Sequence, residues 1–341
     1  MVKDFTIPDP GIVLDLLEAF RCSKVMFAAV SLGVFDALES GPKSLGELAL
    51  ELQANSDALE RLLDACVGLQ LLGHDGSGYR NSPVATTYLC RRSPNRITGY
   101  ITYSDAVLWK LWNHLDAAVR EGTNRWQQTF GWDGPIFSHF FRTEESKSEF
   151  LMGMNGYGLI SSPQVISAFD LSRFRTLVDL GGATGHLAIA ACKRYPSLRA
   201  IVFDLPNAVP LAKEIIEASP VADRIKVVAG DFFKDPLPEG DLFALGRILH
   251  DWAEAKIHFL LGNLFARLPP NGAVLIAEKL LADNKSGPRW AQLQSLNMLV
   301  CTEGKERTLS EYEILLKHAG FGEVLGCRTN GPLDVVLAFK K

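Results

Sequence analysis

The spacing of apolar side chains changes character along this chain. In Ser56-DALERLLDACVGLQLL the leucines recur three and four residues apart, the repeat of one helix face. Ser44-Leu-Gly-Glu47 has capping-box spacing before a shorter apolar helix. LLGHDGSGYRNSP then alternates around a glycine-rich turn and predicts a two-stranded wing. Helix, helix and wing outline a winged-helix module within residues 1–95.

From about 173 onward, short apolar runs (TLVDL, AIVFDL, IKVVAGD, LFALGRIL, AVLIAEKL, VVLAFK) alternate with helical stretches. In AKIHFLLGNLFARL, for example, Ile257, Leu260, Leu261, Leu264, Phe265 and Leu268 share one face. Repeated β-α-β units predict an α/β, doubly wound, mostly parallel sheet over 171–341. The last two runs, around 322–328 and 333–339, are separated only by TNGP. That is short enough for an antiparallel hairpin.

Between them, 96–170 reads as a helical linker. It is rich in aromatics: Trp109, Trp112, Trp126 and Trp132, with Tyr100, Tyr103, Phe130, Phe137, Phe140, Phe141, Phe150 and Tyr157. Helix packing accounts for such residues, and so does a pocket for a flat organic molecule.

Charge narrows the partners. The 341 residues carry 35 Lys and Arg against 39 Asp and Glu, and residues 1–92 hold eight basic groups against twelve acids. The helix that would read DNA offers only Arg61, so neither nucleic acid nor an anionic membrane is expected. Its apolar residues all round suggest burial against a partner subunit. The six cysteines show no CxxC pair, which fits free thiols in a reducing compartment. MVKDFTIPDPG has no signal-peptide pattern, and VMFAAVSLGVF falls short of the ~20 residues of a membrane span. A cytoplasmic protein is expected.

The candidate chemistry lies at the carboxyl ends of the predicted strands, where open α/β sheets bind ligands. Asp179 ends the first, Asp204 the second and Asp231 the third. The turn LVDLGGATGHL lacks G-x-G-x-x-G spacing, and Asp204 stands near the offset at which an acid meets ribose hydroxyls. Acids at the turn and after the third strand suit a nucleoside cofactor without phosphates. S-adenosylmethionine (SAM) fits: a cationic sulfonium, a ribose for Asp204, an adenine for Phe232 and Asp231.

At the same edge, RILHDWAEAKIH places His250 after the fourth strand. Glu278 ends the fifth, and Glu306 in TEGKERT precedes a helix capped by Thr308 and Glu311. A phenol of pKa ~10 is a poor nucleophile until an imidazole takes its proton. Carboxylates beside that ring fix its tautomer and stabilise the imidazolium. His74, His139, His258 and His318 read as packed or surface residues. His250, Glu254 and His258 share a stripe only if the helix starts early, and without HExxH spacing no metal is expected.

DLGGATG, VFDLP, GDFFKDPLPE, RILHDW and SLNMLVCTEGKERT, with the final helix and LDVVLA hairpin, resemble the small-molecule O-methyltransferases of the acetylserotonin (hydroxyindole) and caffeic acid/flavonoid type, bacterial members above all. The resemblance implies a Rossmann-like SAM methyltransferase sheet with an antiparallel last strand, and an N-terminal winged-helix domain that forms a homodimer and helps close the partner's pocket. It implies a cofactor site of Asp179, Gly181, Gly182, Gly185, Asp204, Leu205, Gly230, Asp231, Phe232, Arg247 and Phe141. His250 is then the base, flanked by Glu278 and Glu306. Asp251, Asn297, Met298, Cys301, Phe150 and Met154 fall at acceptor-pocket positions. Four residues depart from the acetylserotonin enzyme: Cys301 stands for Gln, Gly158 for Trp, Phe141 for Tyr and Ala183 for the middle Gly. These departures point away from acetylserotonin itself. A thioether or carboxylate acceptor, needing no base, is the alternative.

Overall fold

A computed structural model describes residues 8–341 except Ser77, Ile136, His139, Phe140 and Arg142, and the side chain of Glu149. The readings of His139, of Phe140 and of the first seven residues fall outside these. Two compact units meet at the 105/106 boundary.

In the first unit, α1 (Gly11–Leu32), α2 (Leu45–Glu51) and α3 (Ser56–Gly68) precede a hairpin of β1 (Leu72–His74) and β2 (Tyr79–Asn81). The capping box forms as expected, with Ser44 accepting from the Glu47 N–H while Glu47 reaches back. Ser56 does not cap α3. Asn55 does, accepting from the Ala58 N–H at 3.0 Å, and Ser56 is the first helical residue.

Nor is α3 apolar all round. Leu59, Leu63 and Cys66 are buried on one face, while Asp57, Glu60, Arg61 and Asp64 stay exposed. The bare apolar surface belongs to α1 instead, where Ile12, Leu16, Leu17 and Phe20 are each more than half exposed.

The second unit is built on seven strands: β3 (Thr176–Leu180), β4 (Arg199–Asp204), β5 (Ile225–Ala229), β6 (Leu242–Gly246), β7 (Ala273–Glu278), β8 (Val324–Cys327) and β9 (Asp334–Phe339). Their order is β5-β4-β3-β6-β7-β9-β8. Strands β3 to β7 pair in parallel, and β9 runs antiparallel to both its neighbours. The expected terminal hairpin is present.

β7 shows why the apolar runs are continuous. All six of its residues are buried. Ala273, Leu275 and Ala277 join one core, Val274 and Ile276 the other. A strand covered on both faces needs an apolar residue at every position. One core includes α5 (His186–Arg194) and α6 (Val209–Glu217). The other holds α7 (Glu254–Arg267) and α9 (Leu309–His318), with Ile257, Leu260, Leu261, Leu264 and Leu268 all buried.

Short helices over 109–130 and a long one, α4 (Glu144–Ser167), cross this unit before the sheet begins. α8 (Arg289–Cys301) lies between β7 and α9 in the chain. Two of the tryptophans bond to α8. Trp126 is buried and donates its indole N–H to the Cys301 carbonyl at 2.6 Å, and Trp112 donates to Asn297 Oδ1 at 2.8 Å. Among the described residues, no helix is long and apolar enough to cross a membrane.

Candidate active site

The sheet changes direction of growth at β3: β4 and β5 lie on one side, β6 and β7 on the other. Ligands of open α/β sheets bind at such a switch point. The glycine turn leaves β3 there. Gly181 has φ +65°, and a methyl group on it would stand 2.4 Å from Ile248 Cδ1. A methyl on Gly182 would meet the Asp179 carboxylate at 2.8 Å. Ala183 adopts φ +48°, a region L-residues rarely visit. Its N–H is held by Asp204 Oδ2 at 2.7 Å, and the Leu205 N–H holds Oδ1 at 2.7 Å.

Asp179, buried, and Asp204, half-buried, carry charge poorly without a cation. Burial, then the neighbouring charge of Asp204, pushes Asp179 up to about 7. Burial pushes Asp204 up to about 6 against its two N–H donors. Asp179 Oδ2 has no hydrogen-bond partner among the described residues. An orphaned carboxylate oxygen beside a turn with no room for side chains fits a cationic, phosphate-free ligand.

Asp231 differs. Burial pushes it up, but Lys234 at 2.8 Å and the Phe233 N–H at 2.9 Å outweigh that and hold it below the usual range. Phe232 packs edge-on to Phe233 at 4.8 Å. Gly230 lies against Phe203, whose ring tip would be 2.2 Å from an added methyl.

Helix α4 closes this loop from above through residues that sequence reasoning did not single out. Asn155 Oδ1 accepts from Thr184 at 2.9 Å, and Ser162 bonds His186 Nδ1 at 2.8 Å. Their spacing of seven residues puts both on one helix face, the only signal in the sequence. Burial, then Arg247, holds His186 down to about 4, so its ring is neutral. Gly158 is small for a local reason: a methyl there would stand 2.3 Å from that ring. Arg247, at φ +57°, lies over the Tyr157 ring at 4.5 Å with Nη1 3.7 Å from Met154 Sδ. Phe141 meets Phe150 edge-on at 6.2 Å.

His250 sits in a single tight turn, 249–251, that follows β6. Helix α7 begins only at Glu254, so the stripe of His250, Glu254 and His258 does not form. His258 packs tilted against His318 instead, with centroids 4.4 Å apart. His250 Nδ1 lies 2.6 Å from Glu306 Oε1, and Nε2 lies 3.7 Å from Asp251 Oδ1. Glu278 lies beside the ring and bonds the backbone under it: its Oε1 accepts from the His250 backbone N–H at 3.1 Å, while Oε2 accepts from the Tyr312 hydroxyl.

Segment 303–307 clamps this turn from outside. The Glu303 N–H donates to the Asp251 carbonyl at 3.3 Å, and Arg307 donates to the Leu249 carbonyl at 3.3 Å. Tyr312, Arg307 and Gly304 were not legible as site residues, because each acts on backbone or on another acid.

Burial draws the His250 pKa down, but Glu306, Asp251 and Glu278 together outweigh it and set it at about 9. Burial lifts Glu278 to about 7 and Asp251 to about 6. One atom from each of His250, Glu278 and Glu306 lies within 4.8 Å of the others. These atoms are engaged with one another, with backbone and with Tyr312.

Beside it, Asn297, Met298 and Cys301 are buried on α8. Burial pushes the Cys301 thiol far above its ordinary range, so it stays a neutral donor 3.6 Å from Asn297 Oδ1.

A sheet of this order with an acid-lined glycine turn at its switch point is the arrangement of a SAM-dependent methyltransferase. A family model described as the O-methyltransferase domain matches residues 112–322, and one described as the O-methyltransferase dimerisation domain matches 14–91. The chain belongs to the O-methyltransferase family. It is 44% identical over 338 residues to acetylserotonin O-methyltransferase of Gallus gallus, covering 97% of each chain. It is 39% identical over 336 residues to a probable bifunctional dTTP/UTP pyrophosphatase/methyltransferase protein of Homo sapiens, covering 98% of this chain and 54% of that one. Human N-acetylserotonin methyltransferase, solved in complex with SAM, superimposes with a TM-score of 0.92 at 38% identity over 98% of this chain and 99% of that one. The mitomycin 7-O-methyltransferase structure gives 0.84 at 25% identity over 97% of each.

Proposed function

We propose that this enzyme methylates the hydroxyl of a small aromatic molecule, phenolic or hydroxyindole-like, with His250 as general base. The observation that carries it is the 2.6 Å contact between His250 Nδ1 and Glu306. In the neutral ring, the form that grows as pH rises toward about 9, a proton on Nδ1 faces the carboxylate, which leaves the Nε2 lone pair to accept the acceptor's hydroxyl proton. Glu306 and Asp251 then stabilise the imidazolium, and Glu278 holds the backbone beneath it. A thioether or carboxylate acceptor would need none of this.

SAM supplies an electrophilic methyl group on a sulfonium. In this reading Asp179, Gly181, Gly182, Gly185, Asp204, Leu205, Gly230, Asp231, Phe232, Arg247 and Phe141 hold it, Asp204 at the ribose and Phe232 at the adenine. Asp251, Asn297, Met298, Cys301, Phe150 and Met154 orient the acceptor, and orientation supplies much of the rate. The division 1–95, 96–170 and 171–341 then separates dimerisation, acceptor helices and cofactor sheet. The exposed apolar side chains of α1 and the dimerisation-domain match support a homodimer.

A panel of phenols, hydroxyindoles, thioethers and carboxylates, assayed with SAM from pH 6 to 9, tests the reading. Hydroxyl acceptors are expected to turn over faster as pH rises. Turnover of thioethers or carboxylates alone, flat with pH, would reverse it.

A further inference from the structure

Resting on the base assignment above, we propose that Tyr312 is a positioning residue for His250. Its hydroxyl, by donating to Glu278 Oε2, aims the other oxygen of that carboxylate at the His250 backbone N–H and so sets where the imidazole stands.

Tyr312 is fully buried on the first turns of α9, within the apolar core that includes Leu315, Leu316 and Phe321. A phenylalanine would fill that place in the core equally well. The hydroxyl serves Glu278, the last residue of β7, which is 1% exposed. The Glu278 carboxylate takes one hydrogen bond on each oxygen, from Tyr312 and from the His250 N–H. Arg307 lies close and acts on Glu278 through its charge, while its Nη1 donates to the Leu249 and Lys305 carbonyls. One element therefore holds the base twice: Glu306 in the lead-in to α9 bonds the ring, and Tyr312 within α9 secures the backbone through Glu278.

Without the hydroxyl, Glu278 Oε2 is left unpaired in an apolar core, and the carboxyl takes up a proton. The groups facing Glu278 are His250, Glu306 and Arg307. Those facing His250 are Glu306, Asp251 and Glu278. Neutralising Glu278 removes one of three negative charges around the imidazole, so His250 must titrate at lower pH. A role confined to core packing would leave that titration where it is.

The test is a pH titration of the histidine rings by NMR on the full chain without ligand, His250 being the resonance lost in His250→Ala. In Tyr312→Phe the His250 midpoint is expected to fall by about half a pH unit or more. Tyr312→Met, also lacking the hydroxyl, must shift it the same way. Added to Glu278→Gln, Tyr312→Phe should produce no further shift. A His250 midpoint unchanged in both Tyr312 variants overturns the proposal. Failure of the base assignment is seen separately, as methyl transfer retained by His250→Ala.

Discussion

Gly304 lies so close beneath His250 that a methyl group on it would stand 2.2 Å from the His250 carbonyl oxygen. Backbone cannot yield as the tip of a flexible side chain can, so Gly304→Ala must push the 249–251 turn outward. The bonds from Glu306 and Glu278 to His250 then lengthen together. Methyl transfer is expected to fall at least about tenfold, with a stability loss of roughly 1–3 kcal/mol and SAM binding by calorimetry unchanged. Full activity in this variant would show that the turn needs no such seat.

Stability should fall as pH rises. His250 titrates at about 9 when folded, above its ordinary value near 6.5, so its contribution is complete below ~6.5 and lost by ~9. Asp179, Asp204, Asp251 and Glu278 are also raised, to between about 6 and 7. The unfolded chain ionises these acids near pH 4, so they weaken the fold from ~4 to ~7. Chemical denaturation of the ligand-free protein is expected to give a steadily lower unfolding free energy from pH 5 to 9. A maximum near pH 8 would contradict both assignments.

SAM binding has the opposite dependence. In the proposed site Asp179 faces the cation and Asp204 the ribose hydroxyls, each as a carboxylate, so calorimetric affinity is expected to weaken between pH 7.5 and 5.5. Asp179→Asn should weaken it at pH 7.5 by about tenfold and flatten the profile. An unchanged profile in that variant would remove Asp179 from the cofactor site.

Trp112 fixes the Asn297 amide, because an indole N–H can only donate and so selects Oδ1. Trp112→Phe leaves Oδ1 only the weak Cys301 thiol donor at 3.6 Å, so the amide is held less firmly. The acceptor KM is expected to rise several-fold, with the SAM Kd unmoved. An unchanged KM for hydroxyl acceptors would mean that Asn297 does not orient them.

Much of this was legible in the chain. The βαβ runs are continuous because strands such as β7 are buried on both faces, and TNGP can only turn the chain back. The acids at 179 and 204 and the histidine at 250 lie at or just after strand ends, where sequence order alone places them at one sheet edge. The cap of α3 was not legible, since Asn55 and Ser56 are both good capping types and only backbone conformation chooses between them. The partners of His186 were hidden because α4 meets the glycine turn only in space. Tyr312 and Gly304 were hidden because they act on other groups.

The central claim is that His250 takes the acceptor's proton. The most direct measurement pairs SAM calorimetry with methyl transfer to a phenol in His250→Ala. Binding is expected to stay within a factor of about two while turnover falls by roughly 10²–10⁴. Turnover near that of the unmodified enzyme, with binding intact, would contradict it.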